Sequence, residues 1–587
     1  MTETGENVDS SYVSRAVPVE EGAEAFVELL NANDVKYIFF NPGSDLIPIL
    51  EAIAKFKYMG RPSPEIILCQ HESLAMAVAH GYFMVSEKPQ VVLVHVDVGT
   101  QQVGGALNNA YRGMAGIIFC AGLAPCTLDG TRRGGRDSGV YFTQETLDQA
   151  GIVRGYVKWH YELRYNDHIH HVLQRAFQIA STEPYGPVYL TLPREVLMEK
   201  IKAVHLLPKA RYGAALSPGA DASALRQAAR LLIDAQNPLA ITTYLGRHCQ
   251  TVAPFVKLAE TLAMRVGSRN TRMNFPTDHP SWVGTSADLY LRDADVILIV
   301  DSAVPYSPPP AVQPSPDAKI IYIDIDPVKA SLPLWNFPAD LRIQADSSKA
   351  IPALYEIVSE LSTSKDRARF QERFRQLQRE QEVRRTQYQS EVKARAEQRP
   401  ISPEWFAYCL AQEVDEDTII FDEALTASGP MARHLRRTKP GTIFAGAGNL
   451  GAGLGGALGI KLASPESTVV CVTGDGGFLY GHPIAALWAA SRYNAPFLNI
   501  VVDNEGYRAI DWILNTNYGP ESYFAKTDER LGTSFSPPPD YALIAQASGA
   551  WGETVEDPDS LQLAIRKALQ RVRDGQPVVL AVKVGKP

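Results

Sequence analysis

At 587 residues the chain has room for about three or four domains, at roughly 150 residues each. Its 45% hydrophobic and 21% charged residues are those of an ordinary globular protein with cores of normal size. A formal net charge of −8 argues against a nucleic-acid partner, which asks for a basic face, and no run of about 18 apolar residues offers a membrane span.

The first sixteen residues, MTETGENVDSSYVSRA, are polar throughout. They read as a disordered tail rather than a signal or transit peptide. The cysteines at 69, 120, 126, 249, 409 and 471 form no C-x-x-C pair, so a reducing, cytoplasmic setting is expected.

From residue 17 onward, short β-rich runs alternate with longer helical patterns. Val35–Phe40, Val91–His95 and Val188–Leu192 are separated by patterns such as Glu21–Ala32, Ser73–Val85 and Val172–Ser181. The alternation returns at Leu239–Tyr244, Val296–Asp301 and Lys319–Asp324, and again at Thr418–Phe421, Thr468–Thr473 and Phe497–Val502. Strand–helix alternation predicts parallel sheets covered by helices. The fold class is therefore α/β, with three doubly wound parallel-sheet domains over about 17–200, 220–360 and 400–587. Two stretches mark boundaries: the Pro- and Gly-containing Leu206–Pro218, and a charged segment within 361–399 that reads as a solvated helical linker.

The strongest chemical signal is TVVCVTGDGGFLYGHPIAALWAASRYNAPFLNIVVDNEGYRAI. One buried strand ends in Gly474-Asp475-Gly476-Gly477, and the next ends in Asp503-Asn504. Ligands of open parallel sheets bind beyond the carboxyl ends of strands. Asp475 and Asn504 are oxygen donors of the kind that hard Mg²⁺ takes alongside phosphate oxygens. The glycines let a diphosphate approach the backbone. A lone GDG would be only a turn; the second strand ending in Asn makes the pair resemble the signature of thiamine diphosphate enzymes.

That resemblance extends over nearly the whole chain after residue 17, and it implies pyrimidine-binding, central and diphosphate-binding domains. It implies that Asp475, Asn504 and the backbone carbonyl of Gly506 hold Mg²⁺. Glu72, in ILCQHESLAMAVAHGYF, stands where the family places the glutamate that hydrogen-bonds the cofactor's aminopyrimidine; otherwise it is a first-turn glutamate favoured by the helix dipole. In AGAGNLGAGLGGALGI, Gly448 corresponds to the carbonyl facing that ring and Leu450 to the apolar wedge that bends the cofactor. Thr426, Gly476, Gly477 and Tyr507 fall at expected diphosphate contacts.

Within the superfamily, Asn41-Pro42-Gly43-Ser44 and VVLVHVDVGTQQVGGALNNAYRG resemble benzoylformate decarboxylase. By motif match, Ser44 and His95 then face the substrate. The alternatives are a turn-shaping serine and a core histidine. That family's second histidine, on the central domain, has no match near Asp301–Tyr306. FTQETLDQAGIVRGYVKWHYEL and KIIYIDIDPVKA resemble acetolactate synthase instead. Asp301–Tyr306 lacks the arginine with which several such relatives hold a flavin, which argues against one.

The expected activity is C–C cleavage or formation, as a lyase or carboligase, on a 2-oxo acid, acyloin or 2-hydroxy ketone. Ser44, His95, Gln101, His482 and segment 507–535 are the expected lining. An acetolactate synthase-like acyl transferase, a 2-hydroxyacyl-CoA lyase and a non-enzymatic cofactor sensor are the alternatives. A nicotinamide dehydrogenase is excluded because the glycines at 451–456 miss the G-x-G-x-x-G spacing. The resemblance also implies a homodimer or homotetramer with sites at the subunit interface.

Overall fold

Runs dense in Val, Ile and Leu behave here as strands covered on both faces. Gln90–Val94, Val296–Val300 and Leu498–Asp503 are buried along their whole length, as parallel strands between helical layers must be. The computed structural model describes residues 14–128, 130–269, 271–307, 312–527 and 530–585. They form two compact units. One comprises the chain up to Leu216 with 447–465 and 481–495; the other comprises 217–446, 466–480 and 496 onward.

The first unit carries a six-stranded parallel sheet. Its spatial order is Glu65–Leu68, Tyr37–Phe40, Gln90–Val94, Ile117–Leu123, Val188–Pro193, Trp159–Glu162. Arg15–Pro18 pairs antiparallel with Ala203–Leu206. Ordered structure thus already includes Arg15 and Ala16, which the sequence reading placed in the tail; residues 1–13 of that tail lie outside the described residues. The unit ends at Leu216, inside the boundary read at Leu206–Pro218.

The second unit carries two more six-stranded parallel sheets. The central one runs Trp282–Gly284, Arg265–Ser268, Pro238–Thr242, Val296–Val300, Lys319–Asp324, Leu341–Gln344. In chain order this is 3-2-1-4-5-6, the order of dinucleotide-binding sheets. The carboxy-terminal one runs Ile443–Ala445, Ile419–Glu423, Val469–Gly474, Leu498–Asp503, Val578–Lys583, Trp551–Val555. Its order, 2-1-3-4-6-5, is that of the first unit's sheet.

Ser364–Arg395 is a single helix opened by a capping box between Thr363 and Asp366. The sequence reading made it solvated, and most of it is. One stripe is nevertheless docked: Phe370, Leu377 and Val392 are buried, and Arg373 donates to the carbonyls of Ala235 (2.9 Å) and Ala263 (3.1 Å).

The glycine-rich helix Ala452–Ala463 packs on the helix Glu72–Ser86. A Cβ at Gly459 would stand 2.0 Å from the Val78 carbonyl oxygen, and one at Gly81 would stand 2.1 Å from that of Gly456. The glycines therefore let two helix backbones touch.

Candidate active site

In the first unit, three strand ends deliver the predicted side chains. Glu72 opens the helix Glu72–Ser86 just beyond Glu65–Leu68, and it is 8% exposed. It is indeed a first-turn glutamate. It is also buried, and its Oε1 accepts a 2.8 Å hydrogen bond from the Asn41 amide. The helix N-cap is His71, whose ring stacks on His482 at 3.6 Å between centroids. Burial, and the neighbouring His71, push His482 down to about 4, so it is neutral near pH 7.

His95 follows Gln90–Val94. Its Nδ1 bonds the fully buried carboxylate of Asp45, and its Nε2 lies 2.9 Å from Gln144 Oε1. Both ring nitrogens therefore face acceptors. Asp45 accordingly raises the His95 pKa above its ordinary value of 6.5, outweighing desolvation. The ring is thus anchored at both nitrogens, with a pKa raised chiefly by Asp45. The Cβ that any other residue would add at Gly43 would stand 2.1 Å from the His95 ring, which explains the glycine in the Asn-Pro-Gly-Ser turn.

Ser44 Oγ lies 2.8 Å from the Tyr141 hydroxyl, which accepts a 2.9 Å hydrogen bond from Arg194. Tyr141 is 1% exposed. A buried phenol proton without an acceptor costs about 1–3 kcal/mol. Arg194 only donates, which favours Tyr141 as donor to Ser44, although either hydroxyl can give the proton in that contact. Arg194 is itself fixed by the Gly134 carbonyl at 2.8 Å and by Asp137 at 3.0 Å. Ser44 therefore does more than shape a turn.

Gly448 and Leu450 also belong to this unit. The backbone of Asn449 pairs reciprocally with the Asn109 side chain, N to Oδ1 at 2.7 Å and Nδ2 to O at 2.9 Å. Gly448 has φ +135, a conformation open to glycine. Gln101 lines a separate small cavity with Asn108, Ile152 and Tyr156.

In the second unit, Asp475 and Asn504 stand at the ends of the adjacent strands Val469–Gly474 and Leu498–Asp503. Asp475 accepts the N–H groups of Gly476 and Gly506, each at 2.8 Å. Burial outweighs these bonds and raises it to about 6. Asn504 donates to Thr426 Oγ1 at 3.2 Å, while its Oδ1 is buried without a partner. A buried carboxylate beside an orphaned carboxamide oxygen is the hard donor set that Mg²⁺ satisfies, so these residues fit the ion. The Gly506 carbonyl accepts from the Arg508 N–H at 2.9 Å, a bond compatible with a second lone-pair contact.

The cradle is tight. A Cβ at Gly476 would meet the Tyr507 ring at 2.4 Å, and one at Gly506 would meet the Thr533 carbonyl at 2.1 Å. Gly477 is looser, with Glu423 at 3.5 Å. Tyr507 packs edge-on to Phe535 at 4.8 Å. Arg508, 4% exposed, holds the loop through the Asn504 carbonyl at 2.8 Å and Asp511 at 2.9 Å. In the central sheet, Asp301 is paired at 2.5 Å with a buried arginine from another segment, Arg247.

Sequence reasoning missed Asp45, Tyr141, Gln144 and Arg194, and had Arg508 only as part of the segment 507–535. Asp45 and Gln144 sit inside the two motifs already singled out. Arg194 and Tyr141 carry no local signal, because only the fold brings 141 to 44 and 194.

Comparisons with known proteins show which family the domains belong to. Residues 20–152, 225–354 and 426–582 match the models of the thiamine pyrophosphate enzyme N-terminal TPP-binding, central and C-terminal TPP-binding domains. A benzoylformate decarboxylase of Pseudomonas aeruginosa is 26% identical over 575 residues, covering 95% of this chain and 98% of that one. A probable acetolactate synthase large subunit of Methanocaldococcus jannaschii is 25% identical over 578 residues, 94% and 90%. Among solved structures, the 4-hydroxybenzoylformate decarboxylase of Rhodococcus jostii aligns with TM-score 0.76 at 22% identity, covering 97% and 99%. The benzoylformate decarboxylase of Polynucleobacter necessarius aligns with TM-score 0.76 at 20% identity, with the same coverages.

Proposed function

Since the chain belongs to the thiamine pyrophosphate enzyme family, we propose that it is a Mg²⁺-dependent lyase or carboligase acting on a 2-oxo acid, in the manner of benzoylformate decarboxylase. One observation carries this reading: Ser44, hydrogen-bonded to the Arg194-anchored Tyr141, and His95, anchored by Asp45 with its pKa raised, are two groups able to donate to a carboxylate.

Thiamine diphosphate, when bound, supplies a nucleophilic carbon and an electron sink for the bond beside a carbonyl. Asp475 and Asn504, with the Gly506 carbonyl, hold Mg²⁺ against its diphosphate. Thr426, Gly476, Gly477 and Tyr507 line that end, Gly448 meets the pyrimidine, and Leu450 is the wedge. Asn41 restrains one oxygen of Glu72, leaving the other for the pyrimidine nitrogen. Ser44 and His95 would orient the substrate carboxylate, and His95 would supply a proton on the substrate side. The assembly is a homodimer or homotetramer, with Glu72 of one subunit serving the cofactor bound by another.

Gln144, from the acetolactate synthase-like stretch, bonds His95 and supports a second reading, transfer of an acyl group to a second 2-oxo acid. Purified protein with Mg²⁺ and thiamine diphosphate, offered 2-oxo acids, acyloins and 2-hydroxyacyl-CoA esters, separates these by mass spectrometry of products. Release of CO₂ and aldehyde from an aryl 2-oxo acid is expected. Condensation of two pyruvates as the main reaction, or cleavage of the CoA esters alone, overturns the proposal.

A further inference from the structure

A cavity lies wholly in the second unit, and none of its lining belongs to the candidate active site. Its volume is about 1250 Å³. It opens between the distal half of the helix Ser364–Arg395, the helix Pro403–Glu413, and the segments 277–282 and 433–437.

Two features of its wall coincide. The first is flat ring surface. Trp405 and Tyr408 stack with centroids 5.5 Å apart at 20°, and Tyr388 and Tyr408 each present an edge-on pairing to His434 at 6.3 Å. Burial, then Arg433, push His434 down to about 4, so near neutral pH its ring adds a planar surface and no charge.

The second feature is an excess of cations. Arg384 and Arg433 are paired with Glu380 and Glu404 at 4.0 Å and 3.5 Å, while Arg385, Lys393, Arg436 and Arg437 face Asp278, Asp415 and Glu416. Asp415 is already committed to Thr418 at 2.6 Å and 2.7 Å. Among the described residues, Arg385, Lys393 and Arg436 have no acidic partner within ion-pair distance. Arg437, 2% exposed, spends its terminal nitrogens on the carbonyls of Thr418 (2.8 Å) and Asp415 (2.7 Å), while its Nε is buried with no partner. Arg433 Nε is likewise buried and unpartnered.

The exposed cations Arg385, Lys393 and Arg436 beside flat rings suit an anion that carries a planar group, by hydrogen bonds to the one and stacking on the other. An apolar metabolite would leave the cations unmatched. Nucleic acid is disfavoured by the net charge of −8. The volume exceeds the roughly 300–1,000 Å³ of common small-molecule pockets, leaving room for base, sugar and phosphate together. We propose that this cleft is a binding site for a nucleoside phosphate.

The test is calorimetric titration of the full-length holoenzyme, saturated with thiamine diphosphate and Mg²⁺, with ADP, AMP, inorganic pyrophosphate and a short single-stranded oligonucleotide. ADP should bind more tightly than AMP or pyrophosphate. The double variant R385E/R436E alters two surface side chains outside the candidate active site. It should keep the melting temperature and turnover while weakening ADP by about 10–100-fold, the loss expected for one or two charge-assisted hydrogen bonds. Trp405→Leu, checked by melting because Trp405 also bonds the Pro558 carbonyl, should reduce the preference for ADP over pyrophosphate. Four results overturn the proposal: no binding of ADP at millimolar concentration, affinity untouched by R385E/R436E, pyrophosphate or the oligonucleotide binding as well as ADP, or a sedimentation change in the double variant that makes the cleft a subunit interface.

Discussion

The first and last sheets have one strand order, 2-1-3-4-6-5, and opposite chemistry at equivalent strand ends. After the first strand stands Ser44 in one and Thr426 in the other. After the second come Glu72 and the Gly448–Leu450 loop; after the third come His95 and Asp475. On the proposed reading the amino-terminal sheet would hold and move protons, whereas the carboxy-terminal sheet would offer oxygens for a cation and glycines for close backbone approach. One scaffold positions both sets because crossover connections leave crevices at the same strand ends, and the loop residues decide what each crevice does.

The sharpest way to break this division is a pair of substitutions. Asp475→Ala should abolish Mg²⁺-dependent binding of thiamine diphosphate in calorimetric titrations, because the diphosphate loses its neutralising ion. Glu72→Gln should leave that affinity within a few-fold yet slow exchange of the cofactor's C2 proton by about 10²–10⁴-fold, the usual worth of such a group. If Asp475→Ala binds the cofactor normally, or Glu72→Gln exchanges at the unmutated rate, the assignment of roles fails. Mixing the two inactive variants also examines the proposed shared site: a mixed oligomer holding one intact pair should regain activity, and none will return if each chain works alone.

His95 sharpens the comparison within the amino-terminal sheet. His95→Ala should slow substrate turnover by about 10²–10⁴-fold while leaving C2 exchange intact, which separates it from Glu72. A lowered melting temperature with normal single-turnover chemistry would make it structural.

The part of this architecture that could be read from sequence is the part written locally. Buried β-rich runs announced three sheets, and the motif spacing announced that Asp475 and Asn504 would stand at two strand ends, which are those of adjacent strands. Arg194 could not be read that way: it reaches Ser44 only through Tyr141, across contacts set by the fold. Nor could the tightness of the helix pair Glu72–Ser86 and Ala452–Ala463, since a run of glycines does not say which surface it meets. Gly459→Ala tests that packing. Its new Cβ would stand 2.0 Å from the Val78 carbonyl oxygen, and an overpacked site of this kind costs about 1–3 kcal/mol. Urea unfolding followed by circular dichroism reads the change; an unchanged midpoint would mean the helices can part freely.

The smallest expected effect concerns Asp45 and the charge on His95. Asp45 raises the His95 pKa above 6.5, and an unfolded chain leaves it near its ordinary value of about 6.5. A group with a raised folded pKa binds its proton more tightly in the native state. Its stabilisation is therefore fully present below about pH 6.5 and disappears as pH rises through the folded value. Asp45→Asn should remove this increment. The difference in unfolding free energy between the parent protein and the variant should accordingly be larger at pH 6 than at pH 9, by about 1.4 kcal/mol for each pKa unit that Asp45 contributes. Urea titrations of both proteins at the two pH values measure that difference. A gap that stays constant with pH would mean that Asp45 contributes packing alone, and that His95 reaches its substrate neutral.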